Sequence, residues 1–193
     1  MGIEFELKYR ATVQQLAAIR EAFAGETQTI TMETAYYDTP AGDLSARRYT
    51  LRRRLANGHS VCTLKTPAGC LGRGEWEENC DTITDGVKAL CKLDVPADLA
   101  ALTADGLVQV CGARFQRTAK LLQLHGCTAE LALDTGVLLG GGREAPLCEV
   151  EVELKSGSRE AALQFGGQLA EKYGLVPEEK SKFRRALALA RGE

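Results

Sequence analysis

Charged side chains occupy every second position in several short segments of the chain. In a β-strand, positions two apart share one face, so each segment predicts a strand with one charged and one mostly apolar face. The segments carry both signs of charge. Four of them have this spacing: Glu4, Glu6 and Lys8; Arg52 and Arg54; Glu75 and Glu77; and Glu149, Glu151 and Glu153.

Faces of both signs, brought together, predict a particular ligand. Like charges about 4 Å apart repel by roughly 4 kcal/mol at an effective dielectric of about 20, so a shared cavity needs bound partners. Guanidinium and ammonium groups bind phosphate oxygens, and carboxylates bind a hard cation such as Mg²⁺ or Mn²⁺ rather than zinc. The pattern therefore indicates a metal–polyphosphate complex. The candidate cations are Lys8, Arg52, Arg54, Lys65, Arg117 and Lys182, and the candidate acids are Glu4, Glu6, Glu75, Glu77, Asp134, Glu149, Glu151 and Glu153.

A plainer interpretation stays open on the residues alone. Solvated strand faces often carry weak exposed ion pairs, and charged edges such as Arg52 and Arg54 discourage aggregation. For Glu75 and Glu77, a site role and an ordinary outer face are equally compatible with the spacing.

Composition limits the class of protein. The 193 residues suffice for a single domain over 1–193, and a formal net charge of −2 gives no general attraction to nucleic acid or anionic membranes. No apolar run approaches the roughly 20 residues that span a bilayer. Acidic residues stand where a signal peptide is basic and then apolar, and the seven cysteines form no C-x-x-C pair. We therefore expect a cytoplasmic protein without a zinc knuckle or a disulfide framework.

The elements that must position these residues are mostly strands. Patterning predicts about eight, including separate strands over 108–118 and 119–125, and Asn57-Gly58 is a strong hairpin signal. Short helices are predicted over 84–93 and 97–104, and a longer one over 159–173. Short links imply antiparallel neighbours. The expected class is α+β, with helices at the edges of strands that can either pack as a sandwich or close into a barrel. In a barrel of about eight strands one face of every strand points inward, and if the charged faces do so the interior is a polar tunnel.

Taken in order, these segments resemble the CYTH superfamily, the triphosphate tunnel metalloenzymes. Glu4, Glu6 and Lys8 match the E-x-E-x-K signature at the N-terminus of that family. The resemblance covers essentially the whole chain, and the order of the segments makes it specific. The other matching segments are residues 51–54, 63–65, 75–77, 117, 133–134, 149–153 and 181–182.

The resemblance implies an eight-stranded antiparallel β-barrel with peripheral helices, whose tunnel binds triphosphate compounds with Mg²⁺ or Mn²⁺. It also assigns roles by position. It places Glu4, Glu6, Asp134, Glu151 and Glu153 on the metal, and Glu149 shares their face. It places Lys8, Arg52, Arg54, Lys65, Arg117 and Lys182 on phosphates, with Glu75 and Glu77 beside them. Direct participation in catalysis is expected of Glu4, Glu6, Lys8, Arg54 and Lys65.

One position departs from the family pattern. Many members carry K-x-R where this chain has Phe115 and Arg117. Arg114 is then a possible substitute for the missing lysine.

The residues around 148–157 are most similar to the inorganic triphosphatase branch, which implies cleavage of tripolyphosphate to pyrophosphate and phosphate. The alternatives are a class IV adenylate cyclase, a thiamine or nucleoside triphosphatase, and a non-catalytic polyphosphate-binding module. The expected partner is a small-molecule triphosphate, with no nucleic acid and no membrane. The resemblance also allows a CHAD domain in a longer native chain, and it leaves the oligomeric state open.

Overall fold

A single ten-stranded sheet dominates the computed structural model, which describes residues 2–3, 5–67 and 73–193. Glu4 lies outside the described residues. The strands are β1 (Gly2–Ile3), β2 (Glu6–Arg10), β3 (Gln28–Asp38), β4 (Thr50–Ala56), β5 (His59–Pro67), β6 (Arg73–Asn79), β7 (Val108–Leu124), β8 (Cys127–Gly140), β9 (Arg143–Gly157) and β10 (Val176–Pro177). The helices are α1 (Val13–Ala22), α2 (Asp43–Ala46), α3 (Ile83–Leu90), α4 (Leu99–Leu102), α5 (Arg159–Tyr173) and α6 (Lys182–Arg191).

The sheet is antiparallel throughout and open at its ends. Its order is β1-β6-β5-β4-β3-β7-β8-β9-β2-β10, so the prediction of a closed eight-stranded barrel is corrected to an open sheet. The N-terminal segment nevertheless joins its two sides, because Ile3 pairs with Gly74 in β6 and Glu6 pairs with Glu153 in β9. Ile3 and Glu6 are three residues apart, so the chain can separate them by at most about 11 Å. Strands β6 and β9 must therefore come close together, and the sheet curls to form a concave face.

Helices cover the convex face in two places. Ile19 of α1 and Leu169 of α5 pack on Val150 and Val152 of β9. Leu90 of α3 packs with the buried leucines of β4 and β5 in a second cluster. These two cores occupy the strand face opposite to the charged residues, and therefore leave the charged rows pointing to the concave side.

Helix α6 lies on the concave face itself. Phe183 and Ala186 pack against Met32, Tyr36 and Phe115, which belong to β3 and β7. The polar interior that inward-facing charged rows predict is therefore interrupted in this part of the sheet. An apolar core under α6 borders a charged region that extends over the remaining strands.

Several elements differ from the sequence predictions for local reasons. The strands predicted over 108–118 and 119–125 form the single strand β7, because Thr118 and Ala119 continue the pairing with β8 without a glycine or proline to interrupt it. The helix predicted over 97–104 is shortened to the four-residue α4. Helix α5 matches its prediction, with Ser158 capping its start and Gly174 in the left-handed conformation after its end. No helix in the described ranges is both long and apolar enough to cross a bilayer.

Gly166 sets how closely α5 approaches β2, the strand that carries Glu6 and Lys8. A Cβ atom at Gly166 would contact Leu7 and would lie 2.8 Å from Tyr9 Oη. We expect Gly166→Ala to lower the free energy of unfolding by about 1–3 kcal/mol through overpacking. Gly167→Ala is the matched control in the same helix, since a Cβ atom there meets nothing within 4 Å. Urea denaturation of both variants tests this, and equal stabilities would contradict it.

Candidate active site

The charged residues of β2 and β9 face each other across the strand pair. The register places Glu6 opposite Glu153 and Lys8 opposite Glu151. The ammonium of Lys8 lies 3.8 Å from a carboxylate oxygen of Glu6. The rows predicted from the N-terminal and the C-terminal segments therefore meet on the concave face.

Three predicted acids form a compact buried cluster. Asp134, Glu149 and Glu151 each offer one carboxylate oxygen, and these oxygens lie within 4.8 Å of one another. The side chains of Asp134 and Glu149 are fully buried, and Glu151 is only 5% exposed. Three carboxylates at this spacing in a shielded position require cations.

Cations from two other elements, β7 and α6, meet this cluster. Lys182 Nζ lies 2.9 Å from Asp134 Oδ2 and 2.5 Å from Glu151 Oε1, and it forms an ion pair with Glu149 outside hydrogen-bond geometry. Arg117 donates two hydrogen bonds of 2.8 Å to the two oxygens of Asp134 and a further one to Glu151. Strand β7 and helix α6 thus both supply charge to the acids.

These contacts favour the charged forms of Glu151, Lys182 and Arg117. Burial alone would raise the pKa of Glu151, but the charges of Lys182 and Arg117 hold that pKa well below its ordinary value of 4.5. Burial opposes the charged forms of Lys182 and Arg117, yet Glu151 and its neighbours raise both pKa values above the ordinary range. Glu151, Lys182 and Arg117 are therefore charged near neutral pH.

Arg185 and Glu178 belong to this network but were not predicted from the sequence. Arg185 forms an ion pair with Glu149, and its second nitrogen lies 3.7 Å from Glu178. Arg185 stands three positions after Lys182, so both reach the same side of α6. That spacing is the signal that could have identified Arg185 in the sequence.

A second group of charges lies on β4, β5 and β6. Arg52 is 3.6 Å from both Glu75 and Glu77, and Lys65 is 3.2 Å from Glu75. Thr63 Oγ1 donates a hydrogen bond of 2.7 Å to Glu77. The two glutamates therefore hold Arg52 and Lys65 in position on the concave face.

Arg54 differs from the other arginines of this face. Its Nε donates a 3.3 Å hydrogen bond to Thr34 Oγ1, and it makes no ion pair with a carboxylate in the described part of the chain. Burial and the nearby charge of Arg52 lower the pKa of Arg54 to about 10. The residue is still partly accessible. Arg54 is therefore surrounded by protein atoms but still reached by solvent, as expected for a side chain that faces the hollow of the concave face.

Glu153 and Glu6 are not among the three carboxylates of the buried cluster. Lys155 Nζ is 2.8 Å from Glu153 and 3.8 Å from Glu130, another acid that sequence reasoning missed. Both predicted ligands are partly exposed. The structure therefore brings Asp134, Glu149 and Glu151 together, while Glu153 and Glu6 extend the acidic row along the concave face.

The departure at Phe115 is resolved by the strand register. Phe115 points to the concave face, where Lys182 Nζ and Arg117 Cζ lie 5.3 and 5.9 Å from its ring centroid. Arg114 points to the opposite face, is exposed and lies 2.7 Å from Glu144. Arg114 is therefore not the substitute for the absent lysine.

Comparisons with known proteins agree with this arrangement. A family model described as the CYTH domain matches residues 2–187. Over 168 residues the chain is 27% identical to an inorganic triphosphatase of Haemophilus influenzae, which covers 85% of this chain and 47% of that protein. The chain thus spans about half the length of that relative.

Two solved structures have the same fold. A Hippeastrum protein, described as a candidate adenylyl cyclase with a dominant triphosphatase activity, superposes with a TM-score of 0.71 at 20% identity and covers 98% of this chain and 96% of its own. A Pyrococcus horikoshii protein superposes with a TM-score of 0.62 at 22% identity, and the match covers 97% of this chain and 99% of that protein.

Proposed function

Since the chain belongs to the CYTH domain family, we propose that it is a metal-dependent triphosphatase that hydrolyses inorganic triphosphate to pyrophosphate and phosphate. The relative described as an inorganic triphosphatase supports the choice of substrate. The substrate binds on the concave face, between the buried acids and the cations of β4 and β5.

Arg54 carries the argument for an anionic substrate. An arginine charge surrounded by protein is costly without a partner of opposite sign, and the described carboxylates form no ion pair with it. Arg52 and Lys65 lie on the same side of the sheet as Arg54, so a triphosphate chain that extends along this side from Arg54 also meets their charges. Guanidinium groups bind phosphate oxygens in pairs, which gives this part of the face its preference for phosphates.

The donor set of the acidic cluster fits a hard divalent cation. Asp134, Glu149 and Glu151 offer only oxygen atoms, as Mg²⁺ and Mn²⁺ prefer. The ammonium of Lys182 among these oxygens also supports the view that the position attracts positive charge. A bound cation would polarise phosphate oxygens and lower the pKa of an attacking water.

The residues of the chain position the substrate and neutralise charge. In the reaction a water oxygen forms a bond to a terminal phosphorus, and the bond from that phosphorus to the bridging oxygen breaks. Negative charge grows on the departing pyrophosphate, where Arg52, Arg54 and Lys65 stabilise it. Lys8, opposite Glu151, lies between the acids and the phosphates and binds oxygens of the phosphate under attack.

A large cleft favours an organic triphosphate as the second candidate substrate. The cleft has a volume of about 1200 Å³ and lies between α6 and the segment 38–50. Thr50 lines it and stands two positions before Arg52, so the cleft adjoins the phosphate-binding face. This space would hold the nucleoside or thiamine part of such a substrate, whether for hydrolysis or for cyclisation.

A substrate panel tests these functions. We expect tripolyphosphate with Mg²⁺ or Mn²⁺ to give the highest kcat/KM, thiamine triphosphate and ATP lower values, and excess EDTA only background phosphate release. The measurements are phosphate release and, for ATP, chromatography of the nucleotide products. Cyclic AMP from ATP would establish the cyclase instead, and tight binding without turnover would establish a polyphosphate-binding module.

A further inference from the structure

Lys182 occupies the centre of the acidic cluster. Its ammonium contacts Asp134, Glu149 and Glu151, the same three carboxylates whose oxygens are close enough to share one ion. Lys182 is only 7% exposed. A lysine that pairs with all three acids uses the oxygens that a divalent cation would need.

A divalent cation and this ammonium cannot both be accommodated at low cost. Like charges within a few ångströms repel strongly in a shielded site. The acids are also already balanced, since Arg117 contacts Asp134 and Glu151, and Arg185 pairs with Glu149. A divalent cation added to this balanced set favours the departure of Lys182, because its side chain is long, flexible and unbranched.

We propose that a divalent cation and Lys182 compete for Asp134, Glu149 and Glu151, so that metal binding frees the Lys182 ammonium to bind a phosphate of the substrate. The inference rests on the proposed metal at these acids. It assigns Lys182 two successive partners, carboxylates before the metal binds and phosphate afterwards. It also explains how a cation buried among acids can serve an anionic substrate.

Helix α6 stays in place during this exchange. The Phe183 ring packs against Tyr36 with ring centroids 5.2 Å apart, and Arg143 Nη1 donates a 3.0 Å hydrogen bond to the carbonyl of Leu189. Gly141 lies so close to the helix that a Cβ atom there would stand 2.7 Å from the carbonyl oxygen of Ala190. The movement is therefore confined to the Lys182 side chain.

Amine labelling of the wild-type protein tests the competition directly. The protein is acetylated with limiting acetic anhydride, with and without saturating Mn²⁺ and without phosphate, and each lysine is quantified by mass spectrometry. We expect Mn²⁺ to raise the labelling rate of Lys182 by about fivefold or more, since its amine leaves a buried ion-pair network. Lys180 is the internal reference, because it is exposed and two positions away. An unchanged or lower rate at Lys182 would overturn the proposal.

Calorimetry of Mn²⁺ binding gives a second test. Lys182→Met removes the competitor and is expected to bind Mn²⁺ about tenfold more tightly than wild type, while Lys180→Met binds as wild type does. Equal or weaker binding by folded Lys182→Met would refute the competition.

Wild-type Mn²⁺ binding and triphosphate hydrolysis are measured alongside. If both occur but Lys182 stays shielded, only this inference fails, whereas absence of Mn²⁺ binding refutes the proposed metal site as well.

Discussion

Replacing Arg54 by Met is expected to lower kcat/KM for triphosphate hydrolysis by about 10³-fold without lowering thermal stability. Charge on the transferred phosphoryl group and the leaving pyrophosphate develops next to this guanidinium, and single arginines in phosphoryl transfer contribute factors of this size. The loss should appear mainly in kcat if Arg54 binds the transition state more strongly than the substrate.

Stability should not fall, because the folded protein gains little from this charge. Arg54 donates one 3.3 Å hydrogen bond to Thr34, and no described carboxylate forms an ion pair with it. Its pKa, lowered to about 10 by burial and by Arg52, indicates that the surroundings disfavour the charged form. Met fills similar space without a charge, so the melting temperature should equal or exceed that of wild type.

Arg114→Met is the matched control for this prediction. Arg114 lies on the opposite face of β7, is exposed, and pairs with Glu144 at the surface. Its replacement should leave kcat/KM within about twofold of wild type, since exposed ion pairs contribute little. Steady-state kinetics and thermal unfolding of the two variants suffice. Arg54→Met with more than a tenth of wild-type activity, or with a large loss of stability, would contradict the assignment of Arg54 to the substrate.

Features encoded locally could be predicted from the sequence. The alternation of Glu6 with Lys8, and of Glu151 with Glu153, assigns these residues to one strand face, because side chains in a strand have a period of two. The register then places the two rows together. The start and end of α5 were predicted correctly for a similar reason, since Ser158 and Gly174 are local capping signals.

Features that depend on distant packing could not be predicted. The three-residue spacing of Lys182 and Arg185 places both on one side of α6, but nothing local reveals that this side lies against buried acids of β8 and β9. The choice between Arg114 and Phe115 likewise depended on the register of β7, because a slip by one residue exchanges the two faces. The curl of the sheet depends on how β1 and β2 pair at its two sides, which involves strands far apart in the chain.

Glu151→Gln is expected to have the second large effect, on both activity and stability. Glu151 contacts Lys182 and Arg117 in a buried position, so the amide leaves positive charge without its partner. Breaking a buried pair in this way lowers the free energy of unfolding by about 3–5 kcal/mol. Loss of a proposed metal ligand should also lower triphosphate hydrolysis by about 10³-fold. Glu144→Gln is the control, because that exposed carboxylate pairs only with Arg114 among the described ion pairs.

The pH dependence of the unfolding free energy shows whether Glu151 stabilises the fold through its charge or through its packing. The pKa of Glu151 in the folded protein is held below its ordinary value of 4.5 by Lys182 and Arg117, which overcome the effect of burial. The unfolded chain therefore binds this proton more readily, and the stability that Glu151 contributes is fully present above about pH 4.5 and declines as the pH falls further. The difference in unfolding free energy between wild type and Glu151→Gln, measured in urea, should thus be smaller at about pH 3 than at about pH 7. A difference that does not change with pH would mean that packing, not charge, gives Glu151 its role.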